Sequence, residues 1–164
     1  MPTDFSFTQS FPSGPESIFN LLKREDFILA KCEATGSLST TASVESIDDS
    51  VTVISNIRKL PADLPAPAKS LVGDTITVTE TQTWSAAKPD GSRQATVTVD
   101  FSGPMKFEGV LQLEPTNSGS GSTITTTGKF TASVPFIGGK IEKVAVEQTG
   151  RYLAAEERIA HQWL

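Results

Sequence analysis

The sequence has only one cysteine, Cys32, and one histidine, His161, among its 164 residues. A single thiol excludes an internal disulfide, and one histidine with one cysteine cannot complete a closed zinc-type site. We therefore expect no metal and no cofactor. Cys32 is interpreted as a small core residue. His161 is not assigned a catalytic role, because a catalytic base needs a fixed, water-excluded setting and this residue stands near the C-terminal end.

Clusters of basic residues and long apolar runs are also missing. The net charge of −5 would repel a phosphate backbone, so nucleic-acid binding is not expected. No segment approaches the roughly eighteen consecutive apolar residues of a membrane span. The first residues, Met1 to Asp4, have neither the basic start nor the apolar run of a signal peptide. We expect a cytoplasmic protein without a membrane span, and the oligomeric state stays open.

The length fits one domain, residues 1–164. A chain of this size can bury about 70% of its unfolded surface, so its core needs no disulfide or metal. Threonine and serine are abundant, which is typical of a sheet with one wet face.

Alternating apolar and polar residues predict strands over most of the chain. Phe5, Phe7, Gln9 and Phe11 share one face of the first predicted strand. Two short helices follow, the second over residues 25–31. Six further strands are predicted between residues 38 and 134, arranged as an antiparallel meander. The strand at residues 51–60 has apolar residues on both faces, so its inward face stays open. Three prolines then predict a loop or short helix: Pro61, Pro65 and Pro67.

The last segment changes to helical periodicity. Apolar or small residues recur every three or four positions between residues 140 and about 162, which predicts one long amphipathic helix. Its predicted inner face comprises Ile141, Val144, Ala145, Gln148, Tyr152, Ala155 and Ile159.

This order of elements is that of the helix-grip fold. The chain resembles the START-related, pollen-allergen-like (SRPBCC) superfamily of lipid-binding proteins and polyketide cyclases. The segment RKLPADLP at residues 58–65, Gly73 and the segment TQTW at residues 81–84 resemble an uncharacterised actinobacterial branch of it. The resemblance implies an α+β fold in which a curved seven-stranded antiparallel sheet wraps around the C-terminal helix. It also implies a cavity between them for a lipid or another bulky apolar molecule, but it transfers no catalytic residue.

A break in the apolar face of the fourth predicted strand is the main functional signal. Ile76, Val78 and Trp84 share one face, and the same-face positions between them are Glu80 and Gln82. A carboxylate and an amide would then project toward the cavity. Buried polar groups of this kind are commonly paired, protonated or functional. The alternative is a bulged or edge strand in which Glu80 reaches solvent.

Other polar or small residues interrupt the predicted inward faces. Thr126 and Gly128 do so in the last strand, and Gly109 in the strand before it. The glycines either leave room for a ligand or permit the bend of a curved sheet, and we favour the bend. Gln148 and Tyr152, one helical turn apart, could hydrogen-bond a ligand head group. Tyr152 could instead pack its ring and keep its hydroxyl at the rim.

The predicted cavity residues support one favoured hypothesis and two alternatives. The favoured hypothesis is a non-enzymatic carrier or sensor of a lipid or other hydrophobic small molecule. One alternative is a cyclase- or hydratase-like enzyme that uses Glu80 as acid or base. The other is a cavity-free domain for protein–protein contacts. The predicted cavity residues are Ile76, Val78, Glu80, Gln82, Trp84, Val97, Val99, Phe107, Gly109, Leu111, Thr126, Phe130, Gln148 and Tyr152.

Overall fold

A single antiparallel sheet and three helices make up the computed structural model, which describes residues 2–62, 66, 69–70 and 73–164. The strands are β1 (Thr3–Phe11), β2 (Ser39–Ile47), β3 (Val51–Pro61), β4 (Thr75–Trp84), β5 (Arg93–Phe101), β6 (Met105–Thr116) and β7 (Gly121–Ala132). The helices are α1 (Pro15–Leu22), α2 (Glu25–Ala34) and α3 (Gly138–Trp163), and a short 3₁₀ turn covers Asn117–Gly119.

The sheet has the order β1-β7-β6-β5-β4-β3-β2. Strands that are consecutive in the chain therefore pair from β2 to β7, and β1 pairs with β7 at one edge of the sheet. Helices α1 and α2 connect the two edge strands, and α3 packs against β1, β7 and α2. This is the predicted α+β helix-grip architecture, with the two short helices after the first strand.

Alternating patterns explain why the strands present one apolar face to α3. Phe5 and Phe11 of β1 are buried on that face, as predicted. The Phe5 ring packs edge-on against Phe107 and Phe130, at centroid separations of 5.9 and 5.5 Å. Such edge-to-face contacts add to the burial of apolar area. The helical pattern of the last segment likewise buries one face of α3, including Ile159.

Several boundaries differ from the prediction. Helix α2 extends to Ala34, three residues beyond the predicted end, and α3 begins at Gly138. Strand β3 continues through Pro61, where proline is tolerated because the strand ends there. Pro65 and Pro67 lie outside the described residues. The inward face of β3, which the sequence left open, carries the buried polar side chains of Asn56 and Arg58.

The buried apolar residues form two clusters. The larger one joins α1, α2 and α3 to the inner sheet face and contains Cys32, which is the small core residue that was predicted. The smaller cluster contains Ala62, Ile76 and Val78. Among the described residues, none of the helices combines the length and the apolar composition of a membrane span.

Gly109 and Gly128 face each other directly across β6 and β7. A Cβ on Gly128 would lie 2.3 Å from the Glu108 carbonyl oxygen and 2.6 Å from the Phe107 ring. A Cβ on Gly109 would meet the same ring at 2.9 Å. The space over this glycine pair is therefore filled by Phe107, which lies on the cavity side of the sheet.

Replacing Gly128 by alanine should destabilise the protein. Because the new methyl group would meet backbone atoms that cannot move independently, we expect Gly128→Ala to lower the free energy of unfolding by about 1–3 kcal/mol. Urea unfolding followed by circular dichroism measures this. Gly139→Ala is the matched control, since among the described residues no atom beyond its chain neighbours and the adjacent helix backbone lies within 4 Å of its Cβ position. Equal stability of the two variants would contradict this explanation of the glycine pair.

Candidate functional site

A cavity of about 830 Å³ lies between the inner face of the sheet and α3. Its size is within the range of small-molecule pockets, about 300–1,000 Å³. Strands β5, β6 and β7 supply an apolar wall, and the end of α2 borders the cavity beside β3. The apolar wall is lined by Val97, Val99, Phe101, Phe107, Leu111 and Phe130.

Most of the residues predicted to line a cavity lie around this one. Glu80 is 7% exposed and turned inward, so the alternative in which it reaches solvent is wrong. The predicted residues that line the cavity are Ile76, Glu80, Gln82, Val97, Val99, Phe107, Leu111, Thr126, Phe130, Gln148 and Tyr152.

Three of the predicted residues do not line the cavity: Val78, Trp84 and Gly109. Val78 is fully buried in the smaller apolar cluster. Trp84 lies under α1, where its ring packs edge-on against Phe19 at 5.6 Å. Gly109 is covered by the Phe107 ring. All three are on the inner face, but none of them lines the cavity, which strand periodicity cannot reveal.

A buried ion pair joins β3 and β4 at one side of the cavity. Arg58 Nη1 lies 2.9 Å from Glu80 Oε1, and the two side chains are 7% and 9% exposed. The same Nη1 donates to Asn56 Oδ1 at 2.6 Å. Gln82 Nε2 donates to Glu80 Oε2 at 2.8 Å, and Trp84 Nε1 donates to Gln82 Oε1 at 2.9 Å. This row of bonds explains why a carboxylate and an amide occupy an otherwise apolar face.

A second buried ion pair joins α2 to α3. Lys31 Nζ donates to Glu156 Oε2, and both side chains are almost fully buried. Gln9 of β1 donates from Nε2 to Glu156 Oε1 at 2.8 Å and to the Leu153 carbonyl oxygen at 2.9 Å. Glu156 therefore connects three elements of the fold.

The Tyr152 ring lies between the two ion pairs. Its centroid is 4.5 Å from the Arg58 guanidinium carbon and 5.6 Å from Lys31 Nζ, within the range of cation–π contacts. Its hydroxyl is 4.0 Å from Cys32 Sγ. We call Lys31, Arg58, Glu80, Glu156 and Tyr152 the charge cluster.

The members of the charge cluster shift one another's pKa values. Burial alone would raise the pKa of Glu80, but the charges of Arg58 and Lys31 outweigh it and lower that pKa. Burial alone would lower the pKa of Lys31, but Glu156 raises it well above its usual value. Burial raises the pKa of the Tyr152 hydroxyl. The neighbouring cations therefore favour the ionised form of Glu80.

Several residues of the site were missed in the sequence. Arg58 and Asn56 were missed because apolar residues occur on both faces of β3. Lys31 and Glu156 were missed because their partners are distant in sequence. Gln9 was recognisable, since it interrupts the apolar face of β1 as Glu80 does in β4.

His161 lies away from the charge cluster. Its ring Nε2 is exposed and 3.0 Å from the Ser10 carbonyl oxygen. This contact ties the end of α3 to β1.

The chain matches a known protein family over most of its length. The model of the family described as "Protein of unknown function (DUF2505)" matches residues 6–164. The chain belongs to this family. The uncharacterized protein Rv0481c of Mycobacterium tuberculosis is 23% identical to this DUF2505 chain over 171 residues, which cover 100% of this chain and 98% of the relative. This mycobacterial relative agrees with the predicted actinobacterial branch.

Solved structures share the fold of this DUF2505 chain. A START superfamily protein from Mycobacterium smegmatis superposes with a TM-score of 0.58 at 14% identity, covering 98% of this chain and 99% of that one. The ZhuI aromatase/cyclase from Streptomyces sp. R1128 gives a TM-score of 0.61 at 8% identity, covering 99% and 93%. These likenesses confirm the predicted START-related helix-grip fold.

Proposed function

We propose that residues 1–164 form a single domain that carries or senses a lipid or another hydrophobic small molecule. The observation that carries this proposal is the cavity of about 830 Å³ between the sheet and α3. Its wall on β5, β6 and β7 is largely apolar, whereas β3, β4 and α3 bring Arg58, Glu80 and Tyr152 to the other side. Apolar walls with a few fixed polar groups are typical of sites that bind and orient small molecules.

The two alternatives are less well supported. A domain without a cavity does not fit a void of this size. An enzyme that uses Glu80 as an acid would need a protonated carboxyl, whereas Glu80 is ion-paired with Arg58 at 2.9 Å. Both Glu80 oxygens already accept hydrogen bonds, which also leaves it poorly placed as a base. We therefore favour binding without catalysis.

Filling the cavity should weaken binding of an apolar ligand. Val97 is buried on β5 and lines the cavity, so we expect Val97→Trp to weaken binding of a fluorescent apolar probe such as N-phenylnaphthylamine at least tenfold. The large ring would occupy the space that the probe requires. Val110→Trp is the matched control, because Val110 of β6 lies on the opposite face of the sheet. Fluorescence titration of both folded variants measures the effect, and equal binding by the two would contradict the proposal.

Native mass spectrometry of gently purified protein tests for a bound ligand directly. We expect an adduct that dissociates on heating or on extraction with organic solvent. Protein that is stoichiometrically empty, and that also ignores fluorescent fatty-acid and polyaromatic probes, would count against a ligand-binding role.

A further inference from the structure

Two arginines of α3 lie where the cavity opens to solvent. Much of the apolar wall is buried, and Val97 and Phe130 are only 3% and 0% exposed. Arg151 and Arg158 line the same cavity but are exposed, so they mark its open side, which we call the mouth. A ligand whose body lies against the apolar wall therefore has its solvent-facing end beside these two guanidinium groups.

The periodicity of α3 explains why both arginines reach the cavity. Arg151, Ala155 and Arg158 follow one another at steps of four and three residues, which places them on one face of the helix. Ala155 and Tyr152 line the cavity from the same face. At about 1.5 Å per residue, the two arginines are about 10 Å apart along the helix axis. The helical side of the mouth therefore carries positive charge at both ends of this distance.

The charges that line the cavity do not balance. Among the described residues, the lining contains three cations and one carboxylate: Arg58, Arg151, Arg158 and Glu80. Arg58 is paired with Glu80, and Arg151 is paired with Glu147 at 2.7 Å. The part of the chain that the structure describes gives Arg158 no ion pair. One positive charge at the mouth is therefore uncompensated, although the whole chain has a net charge of −5.

An arginine at the mouth is suited to a carboxylate head group. The planar guanidinium group can donate two parallel hydrogen bonds to the two oxygens of a carboxylate. Because the mouth is exposed, the head group would keep part of its hydration and would not incur the cost of a buried, unpaired charge. The apolar wall can then hold the hydrocarbon part of the same molecule.

We infer that the ligand is a monoanionic amphiphile, with its apolar body in the cavity and a carboxylate head group paired with Arg158 and close to Arg151. This inference rests on the proposed function, because it specifies the ligand class of the same cavity. The uncompensated charge at the mouth attracts an anionic head group and repels a cationic one. Long-chain acids are therefore favoured over amines of the same length.

Displacement of N-phenylnaphthylamine by three compounds with the same alkyl chain tests the head group. The compounds are dodecanoic acid, dodecanol and dodecylamine, each used below its critical micelle concentration at mildly alkaline pH. We expect the acid to displace the probe at concentrations about fivefold lower than the amine. Because salt screens exposed charges, raising the ionic strength from about 0.05 M to about 0.5 M should reduce this difference.

Substitutions at the mouth separate the effect of the head group from that of the body. Arg158→Gln should weaken binding of the acid and strengthen binding of the amine, each about threefold, which is the size of effect expected for an exposed ion pair. Binding of dodecanol should not change, because the apolar wall is intact. Lys143→Gln is the matched control, since it alters the net charge equally and Lys143 is an exposed residue of α3 that does not line the cavity. Glu147→Gln should strengthen binding of the acid, because it releases Arg151 from its ion pair.

The outcomes that would overturn the inference differ from failure of the proposed function. Tighter binding of the amine than of the acid would contradict a carboxylate head group at the mouth. Equal effects of Arg158→Gln and Lys143→Gln on binding of the acid would indicate a general effect of net charge. Equal displacement by all three compounds, with no effect of Arg158→Gln, would leave a carrier of apolar molecules without a preferred head group. Only failure of the probe and of every compound to bind would remove the proposed function together with this inference.

Discussion

Replacing Arg58 by methionine should lower the free energy of unfolding by about 3–5 kcal/mol, the loss typical of breaking a buried ion pair from one side. Methionine retains much of the volume of the arginine side chain, so the loss arises mainly from electrostatics. Glu80 would keep its burial and lose the guanidinium 2.9 Å away, while Asn56 would lose a bond of 2.6 Å. Urea unfolding at neutral pH measures the change.

A second substitution separates charge from packing in the Arg58 variant. Arg58→Met/Glu80→Met removes both charges, so we expect it to be more stable than Arg58→Met alone. The matched surface control is Arg151→Met. Its pair with Glu147 has a similar separation of 2.7 Å, but the side chains are 73% and 66% exposed, so its loss should be below about 1 kcal/mol. Losses of equal size at Arg58 and Arg151 would contradict the assignment of a buried, energetically coupled pair.

Replacing Lys31 by methionine should cost a similar amount, about 3–5 kcal/mol, but should act on a different part of the fold. Lys31 joins α2 to α3 through Glu156, and its removal leaves that buried carboxylate without the lysine charge and bonded to the neutral Gln9 amide at 2.8 Å. Urea unfolding measures the global loss. Amide hydrogen exchange should become faster in α2 and α3 than in β5, because the two helices lose the contact and β5 does not.

A neutral partner should rescue the Lys31 variant. In Lys31→Met/Glu156→Gln, the unpaired charge is gone while an amide oxygen still accepts from Gln9, so this double variant should be more stable than Lys31→Met. Lys129→Met is the exposed control, because its pair with Asp4 is 67% and 85% exposed. A double variant no more stable than Lys31→Met would show that packing of the lysine stem, and not charge pairing, dominates at this position.

The sequence was most informative where one face of an element is apolar and the other is wet. The alternation in β1 and the helical spacing in α3 are local patterns, and they predicted both elements and the fold that they build. Glu80 and Gln82 could be recognised for the same reason, since they interrupt a regular apolar row in β4. A polar residue can be recognised as an interruption only where the neighbouring residues of the same face follow a regular apolar pattern.

Arg58 and Lys31 could not be recognised in that way. Apolar residues occupy both faces of β3, so the alternation of residues could not show whether Arg58 points into the core or toward solvent. Lys31 belongs to a short helix that lacks a clear apolar stripe. Each cation is tolerated in the interior only because of a carboxylate contributed by another element, Glu80 on β4 or Glu156 on α3. Local periodicity contains no information about such partners.

The attachment of α3 has a mechanical consequence for the cavity. Glu142 accepts from the Thr3 hydroxyl at 2.5 Å and from the Ala132 backbone amide at 2.9 Å, and Glu156 holds Gln9 and Lys31 farther along the same helix. Carboxylates near both ends thus fasten the helix to β1, β7 and α2, which makes that side of the cavity stiff. For the proposed binding of ligands of different width, we expect movement of β3, β4 and β5 and not of α3, because these attachments hold the helix in place.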